Sequence, residues 1–214
     1  MKHLIKLYLV IIGFFVAVFL IMNLTGILSV EDITHFVNRL TREEKQIAFW
    51  VILVLLAVDV FFSVPTIFLV TSAGWLLGFW PGLLSSVTGM FLSGLTARII
   101  CTKIGGKLVK LVLGSDSQVA EVHRLFKRFG PAILTVSRAL PMLPEATSCM
   151  AGIYRMPFWK FVFYYLLGTI PYASILVYFG SISSRENPYP ALVAIVGMYV
   201  LLWSIWWFLV KRKK

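Results

Sequence analysis

Apolar residues are arranged along this chain in runs, and the runs differ in kind. Residues 4–24, 47–64, 158–180 and 191–210 are nearly unbroken apolar stretches, close to the roughly 20 residues that a helix needs to cross the hydrocarbon layer. Residues 66–97 are apolar for longer than one crossing but are punctuated by Gly74, Gly78, Pro81, Gly82, Gly89 and Gly94. Residues 131–153 have the opposite defect, with too many polar and helix-breaking residues for a plain span. Between these two lies a stretch of another pattern. Val119, Val122, Phe126 and Phe129 recur at helical period opposite Glu121, Arg124, Lys127 and Arg128, after a Ser115/Gln118 pair at capping-box spacing. That pattern predicts an amphipathic helix, stopped by Gly130-Pro131 and lying along the cytoplasmic headgroups.

Composition agrees with the runs. Of 214 residues, 59% are hydrophobic and 14% charged, and the mean hydropathy is +0.89; a soluble domain has roughly half its residues apolar and about a quarter charged. The expectation is an integral membrane protein with one membrane domain of several helices. The net charge of +11 would suggest nucleic acid in a soluble protein. Here the bases fall between the apolar runs, as topology signals do, so no nucleic acid is expected as a partner. Cys101, Cys149 and the three histidines are too scattered for a metal-ligand cluster, and each cysteine reads as a small buried hydrophobe. No metal or cofactor is expected.

Charge arbitrates the sidedness. Lys2 and Lys6 begin the chain and Lys211, Arg212, Lys213 and Lys214 end it, so both termini read as cytoplasmic. Loops 25–46 and 181–190 balance their charges and read as external, whereas 98–130 carries seven bases against two acids and reads as cytoplasmic. Parity then requires 66–97 to return to the side it left, by two crossings broken near Trp80-Pro81-Gly82 or by a re-entrant hairpin. Residues 131–153 lie between two cytoplasmic stretches and are too short to cross twice. A re-entrant loop remains, which is tolerated at membrane depth only where protein buries it or water lines it.

Four ionisable residues fall in or beside these segments: Asp59, Arg98, Arg138 and Glu145. Such residues are costly in lipid and usually face a protein interior or a watery cavity. Arg138 and Glu145 share a segment with Pro141 and Pro144, which remove amide donors and oppose a continuous helix. A broken helix beside charges is one way to build a binding site at mid-membrane; a structural ion pair is the plainer reading. Arg98 also suits a snorkelling anchor, and Asp59 needs a partner from another helix or a proton. Gly74 and Gly94 suit close helix packing, and Gly74 with Pro81 also suits a hairpin tip. Trp50, Trp159, Trp203, Trp206 and Trp207, near span ends, suit an aromatic belt.

The runs VPTIFLVTSAGWLLGFWPG, LSGLTARIICTKIGGKLV and LFKRFGPAILTVSRALPMLPEATSCMAGIYRMPFWKF resemble the DedA superfamily, and more closely its SNARE-associated Golgi protein branch with the VTT domain. The resemblance covers roughly residues 60–180. Its most specific part is Arg138, Pro141 and Pro144 at three-residue spacing, then Ala151-Gly152, Arg155-Met156-Pro157 and Phe161. It implies an all-α membrane fold with two re-entrant hairpins, each packed with a transmembrane helix as a pseudo-inverted repeat, and it implies lipid transport. Bacterial members are linked to undecaprenyl phosphate and eukaryotic relatives to phospholipid scrambling. Arg138 matches the family's arginine in the second hairpin. Many members carry another arginine where this chain has Pro144, and acids around the first hairpin where it has only Asp59.

The expected organisation is a first helix and external loop over 1–46, a membrane domain over 47–180, and a last helix with a basic tail over 181–214. The expected function is a flippase or scramblase of a phosphate-headgroup lipid in the bacterial cytoplasmic membrane, with the bilayer, and a second copy of the chain, as partners. Arg138, Glu145, Arg98 and Asp59 are the candidate substrate-binding residues; Pro141, Pro144, Gly152, Gly74 and Pro81 are the candidates that shape the hairpins. A proton- or cation-coupled carrier of small solutes and a structural assembly factor are the alternatives. An enzyme is not expected, because no histidine falls in an apolar span to serve as a base.

Overall fold

A computed structural model describes residues 7–13, 17, 45–62, 65–113, 116–139 and 143–183, with positions 193 and 197. Most of the expected last span at 191–210, of both external loops and of the first span, together with the basic tail, Trp203, Trp206, Trp207 and Pro141, lie outside the described residues. Those described are helical throughout, with no strand among them.

The expected span 47–64 is broken. Helix α1 (Lys45–Ala57) ends at Val58, and a short α2 (Asp59–Phe62) follows. The buried carboxylate of Asp59 supplies the reason, because a buried acid needs donors. Thr66, at the head of the next helix, donates its hydroxyl to Asp59 Oδ2 at 3.2 Å, which folds the chain back across the break.

Helix α3 (Thr66–Leu77) has 12 residues. It stops at Gly78, whose φ of +83° suits a residue without a side chain and whose amide bonds the Gly74 carbonyl at 2.9 Å. Helix α4 (Phe79–Leu113) starts at once. The break therefore falls at Gly78 and not at Trp80-Pro81-Gly82: Pro81 is the third residue of α4, where no helical partner awaits its missing N–H. The basic positions from Arg98 to Lys110, read as a connecting stretch, continue the same 35-residue helix.

Helix α5 (Asp116–Val136) is the amphipathic one, but Gly130-Pro131 does not stop it. The added turn is carried by packing. Thr135 donates to the carbonyl of Pro131 at 3.1 Å and to that of Tyr164 at 3.3 Å. Its apolar stripe is covered by protein: Val122 and Phe126 are buried in a core with Leu7, Tyr8 and Ile11, and His123 and Phe126 stack on Tyr154. Arg124, Lys127 and Arg128 stay exposed.

A 3-10 turn (Ser137–Ala139), α6 (Leu143–Ile153) and α7 (Phe158–Ser181) complete the set. Pro144 is the second residue of α6, a helix-start position rather than an opening in one. Arg155, at φ +49°, turns the chain between α6 and α7. Among the described residues, two segments are long and apolar enough to cross a membrane: Phe79–Lys103 in α4 and all of α7.

Glycines set the closest helix contacts. A Cβ on Gly74 of α3 would overlap the Val177 carbonyl of α7, and one on Gly180 of α7 would overlap the Thr71 carbonyl of α3. Likewise a Cβ on Gly152 of α6 would overlap the Arg98 carbonyl of α4. Arg98 and Val177 each stand nineteen positions beyond the first residue of their helix, Phe79 and Phe158. Where α6 meets α4, Cys101 and Cys149 are disulfide-bonded, with Cα atoms 5.1 Å apart. They are therefore more than two small hydrophobes: helix approach allowed by a glycine brings together sulfurs that sequence distance had separated.

Candidate functional site: a guanidinium at the centre of two long helices

Arg138 leaves the 3-10 turn after α5 and reaches α7. Its Nη2 donates to the Tyr165 hydroxyl at 2.6 Å and its Nε to Thr169 Oγ1 at 3.4 Å. The guanidinium carbon lies 5.1 Å from the Tyr165 ring centroid and 6.0 Å from that of Tyr172, within reach of cation–π attraction. The Tyr165 hydroxyl in turn donates to the Met90 carbonyl on α4. One phenol thus joins the turn after α5, α7 and α4.

The depth of this cluster follows from register. Thr169 is the twelfth of 24 residues in α7, and Met90 the twelfth of the 25 residues in the apolar part of α4. The charge sits level with the middle of both candidate spans.

Two carboxylates act on it. Glu145, in the first turn of α6, and Asp59, in α2, are both near enough for their charges to act on the guanidinium. The tertiary structure therefore gathers Arg138, Glu145 and Asp59 from three separate segments. Arg98 stands apart. Its Nη2 donates to the Met156 carbonyl at 2.7 Å, and its guanidinium carbon lies 5.8 Å and 5.4 Å from the Phe158 and Phe161 rings. Phe161 then packs on Tyr165 at 5.3 Å between ring centroids, so one face of α7 links the two arginines through aromatic rings. Pro144 and Gly152 belong to α6, whereas Gly74 and Pro81 flank the α3–α4 turn.

Tyr165, Thr169 and Tyr172 were not singled out from the sequence. The available signal was their spacing of i, i+4 and i+7, which lines three hydroxyls along one face of a largely apolar helix. Ser86, Ser93 and Ser148 are buried polar residues whose hydroxyls find no partner among the described residues. The described residues contain no group of three or more His, Cys, Asp or Glu able to hold a metal.

A helical assembly that holds an arginine between two apolar, span-length helices belongs to the class of membrane proteins with a buried polar centre. The VTT domain model matches residues 64–182, more than half of the chain, and the chain belongs to that family, the DedA and SNARE-associated one. It is 29% identical over 107 residues to the undecaprenyl phosphate transporter A of Bacillus subtilis (strain 168), a match covering 46% of this chain and 54% of that protein. The aligned region thus spans about half the length of this curated relative. No solved structure matches the chain.

Proposed function

We propose that the protein carries a phosphate-headgroup lipid between the leaflets of a membrane, with Arg138 as the group that receives the phosphate. The observation that carries this reading is a guanidinium at mid-depth whose described hydrogen bonds go to hydroxyls, with Glu145 and Asp59 acting on it through their charge. A planar fork suits phosphate oxygens, and hydroxyl partners orient it without adding negative charge to that of Glu145 and Asp59. The name of the Bacillus subtilis relative favours a polyprenyl phosphate such as undecaprenyl phosphate; a two-tailed phospholipid has the same headgroup chemistry.

Helix lengths support two re-entrant hairpins. At about 1.5 Å per residue, α3 extends about 18 Å and α6 about 16 Å, against a hydrocarbon core of about 30 Å. The matched register of Arg98 and Val177 supports a pseudo-inverted repeat, in which the short helix of each half packs on the long helix of the other. Exposed Trp80 and Trp159 open the long helices at corresponding places, as interface anchors would. Arg155 and Lys160 beside Trp159, and no base beside Trp80, favour a cytoplasmic start for α7. The reading includes the bilayer of a bacterial cytoplasmic membrane as the setting.

The test is reconstitution. In vesicles carrying a fluorescent polyprenyl phosphate or a fluorescent phospholipid, the protein moves at least one of them between leaflets, and vesicles lacking protein do not. Protein that is folded and moves neither lipid overturns the proposal. A second reading, proton-coupled carriage of a small solute, is favoured by the two carboxylates around a single guanidinium, since one of them can hold a proton without leaving Arg138 unbalanced. That reading predicts substrate-dependent proton flux that Glu145→Gln removes.

A further inference from the structure

We propose that Tyr165 is the positioning residue of the Arg138 site, and that Gly94 makes its position available. The inference rests on the lipid reading above and deepens it. A phenol has one proton to donate. In Tyr165 that proton is directed to the Met90 carbonyl, which leaves the oxygen lone pairs to face the only strong donor described beside them, Nη2 of Arg138. The bond to α4 therefore fixes which way the hydroxyl presents itself, and that in turn fixes one corner of the guanidinium.

Thr169 holds the neighbouring nitrogen more loosely, at 3.4 Å against 2.6 Å. Because both of these hydrogen-bond partners are neutral, they orient the fork without adding negative charge to that of Glu145 and Asp59, as suits a site that must receive an anion. A carboxylate in Tyr165's place would hold the arginine as firmly and compete with the phosphate.

Gly94 is what admits the phenol. A Cβ there would come within 2.5 Å of Tyr165 Cε2, 2.6 Å of Cζ and 2.7 Å of the hydroxyl oxygen. Those atoms belong to a ring that is 3% exposed, packed edge-on against Phe91 and at a tilt against Phe161, and tied at its hydroxyl. It has little room to withdraw, so any residue larger than glycine at 94 moves the hydroxyl off Met90 and Arg138 together.

The test is Tyr165→Phe, which keeps the ring and removes the hydroxyl, in full-length protein reconstituted in phosphatidylethanolamine–phosphatidylglycerol vesicles with a fluorescent polyprenyl phosphate as probe. A positioning role is read in the half-saturating lipid fraction: it rises about tenfold, as expected for loss of a hydrogen bond to a charged group. The maximal rate per folded molecule changes less than about threefold on the same reasoning. A merely structural role reduces the number of working molecules, lowering the maximal rate and leaving half-saturation where it was; that result overturns the proposal. So does a Tyr165→Phe variant indistinguishable from the parent. If Tyr165→Phe does not fold, Gly94→Ala carries the test: the proposal requires the same rise in half-saturation and is overturned by its absence. Parent protein that moves no lipid sinks the lipid reading and this inference with it, whereas a working parent with an unaltered half-saturation in the variants sinks this inference alone.

Discussion

Nη2 of Arg138 lies 2.6 Å from the hydroxyl of Tyr165, although the two residues stand twenty-seven positions apart and on different helical elements. The same guanidinium reaches Thr169 through Nε, so a single side chain spans two hydroxyls one helical turn apart on α7. That span requires a planar fork.

Arg138→Lys keeps the charge and discards the fork. A lysine ammonium is a point donor and does not satisfy both hydroxyls in the same geometry. Leaflet-to-leaflet movement of a phosphate lipid is expected to fall more than about tenfold, since hydrogen bonds to charged groups are worth about 1.5–3 kcal/mol each. The amount of folded protein is expected to stay within the parent's range. The rates, normalised to folded protein from size-exclusion traces, check this.

Three glycines separate packing from backbone conformation. Gly74→Ala and Gly152→Ala each place a Cβ on a backbone carbonyl of a neighbouring helix, which cannot withdraw without moving the helix; overpacking of this kind costs about 1–3 kcal/mol and occasionally more. Gly78→Ala meets no atom within 4 Å, and its cost comes only from a backbone at φ +83°, ψ −178°, about 1–3 kcal/mol. Melting temperatures in detergent are expected to drop for all three. Only the first two also loosen the α3–α7 or α4–α6 contact, seen as faster exchange of backbone amides along those helices.

Arg98 serves the turn between α6 and α7. Arg98→Ala removes the bond to the Met156 carbonyl and the contacts with Phe158 and Phe161, a loss of about 2.5–5 kcal/mol when a charged hydrogen bond and two exposed-site cation–π contacts are summed. A fall of several degrees in melting temperature is expected, with the half-saturating lipid fraction unaltered. A shift in half-saturation with no loss of stability would make Arg98 a substrate contact.

The Cys101–Cys149 bond is shielded. The two residues are 9% and 2% exposed in the contact between α4 and α6. Alkylation of the folded protein without reductant is expected to label neither, and a reductant is expected to act only once the helices are separated by denaturant. Mass spectrometry of the intact chain after iodoacetamide counts the labels, and labelling of both cysteines in unreduced folded protein would remove the bond.

Much of the fold was legible because hydrocarbon is an undemanding reader of sequence. Span length, the glycine punctuation of 66–97 and the polar defects of 131–153 are local properties, and they marked that these two segments are broken, though the first break falls at Gly78 and not near Trp80-Pro81-Gly82. The break after Ala57, the continuation of α5 through Pro131 and the burial of its apolar stripe were not legible. Each depends on a partner outside its own helix: Thr66 for Asp59, Tyr164 for Thr135, Tyr154 for Phe126. At the site, Arg138 was legible because a lone guanidinium in an apolar stretch is conspicuous. Its hydroxyl partners were not, since tyrosine and threonine are unremarkable in a helix until something charged is brought against them.

The sequence by itself determined that this chain is built of apolar helices, which residues interrupt them, and that an arginine must be housed among them, because the cost of apolar surface in water and of charge in lipid is set by each residue's own chemistry. Tertiary structure alone decided that Arg138 meets Tyr165 and Thr169, that Asp59 and Glu145 share its surroundings, and that Cys101 meets Cys149. Hydrogen bonds and sulfur–sulfur bonds act over a few ångströms, and only the packing of helices through their glycines brings segments so far apart in the chain to that distance.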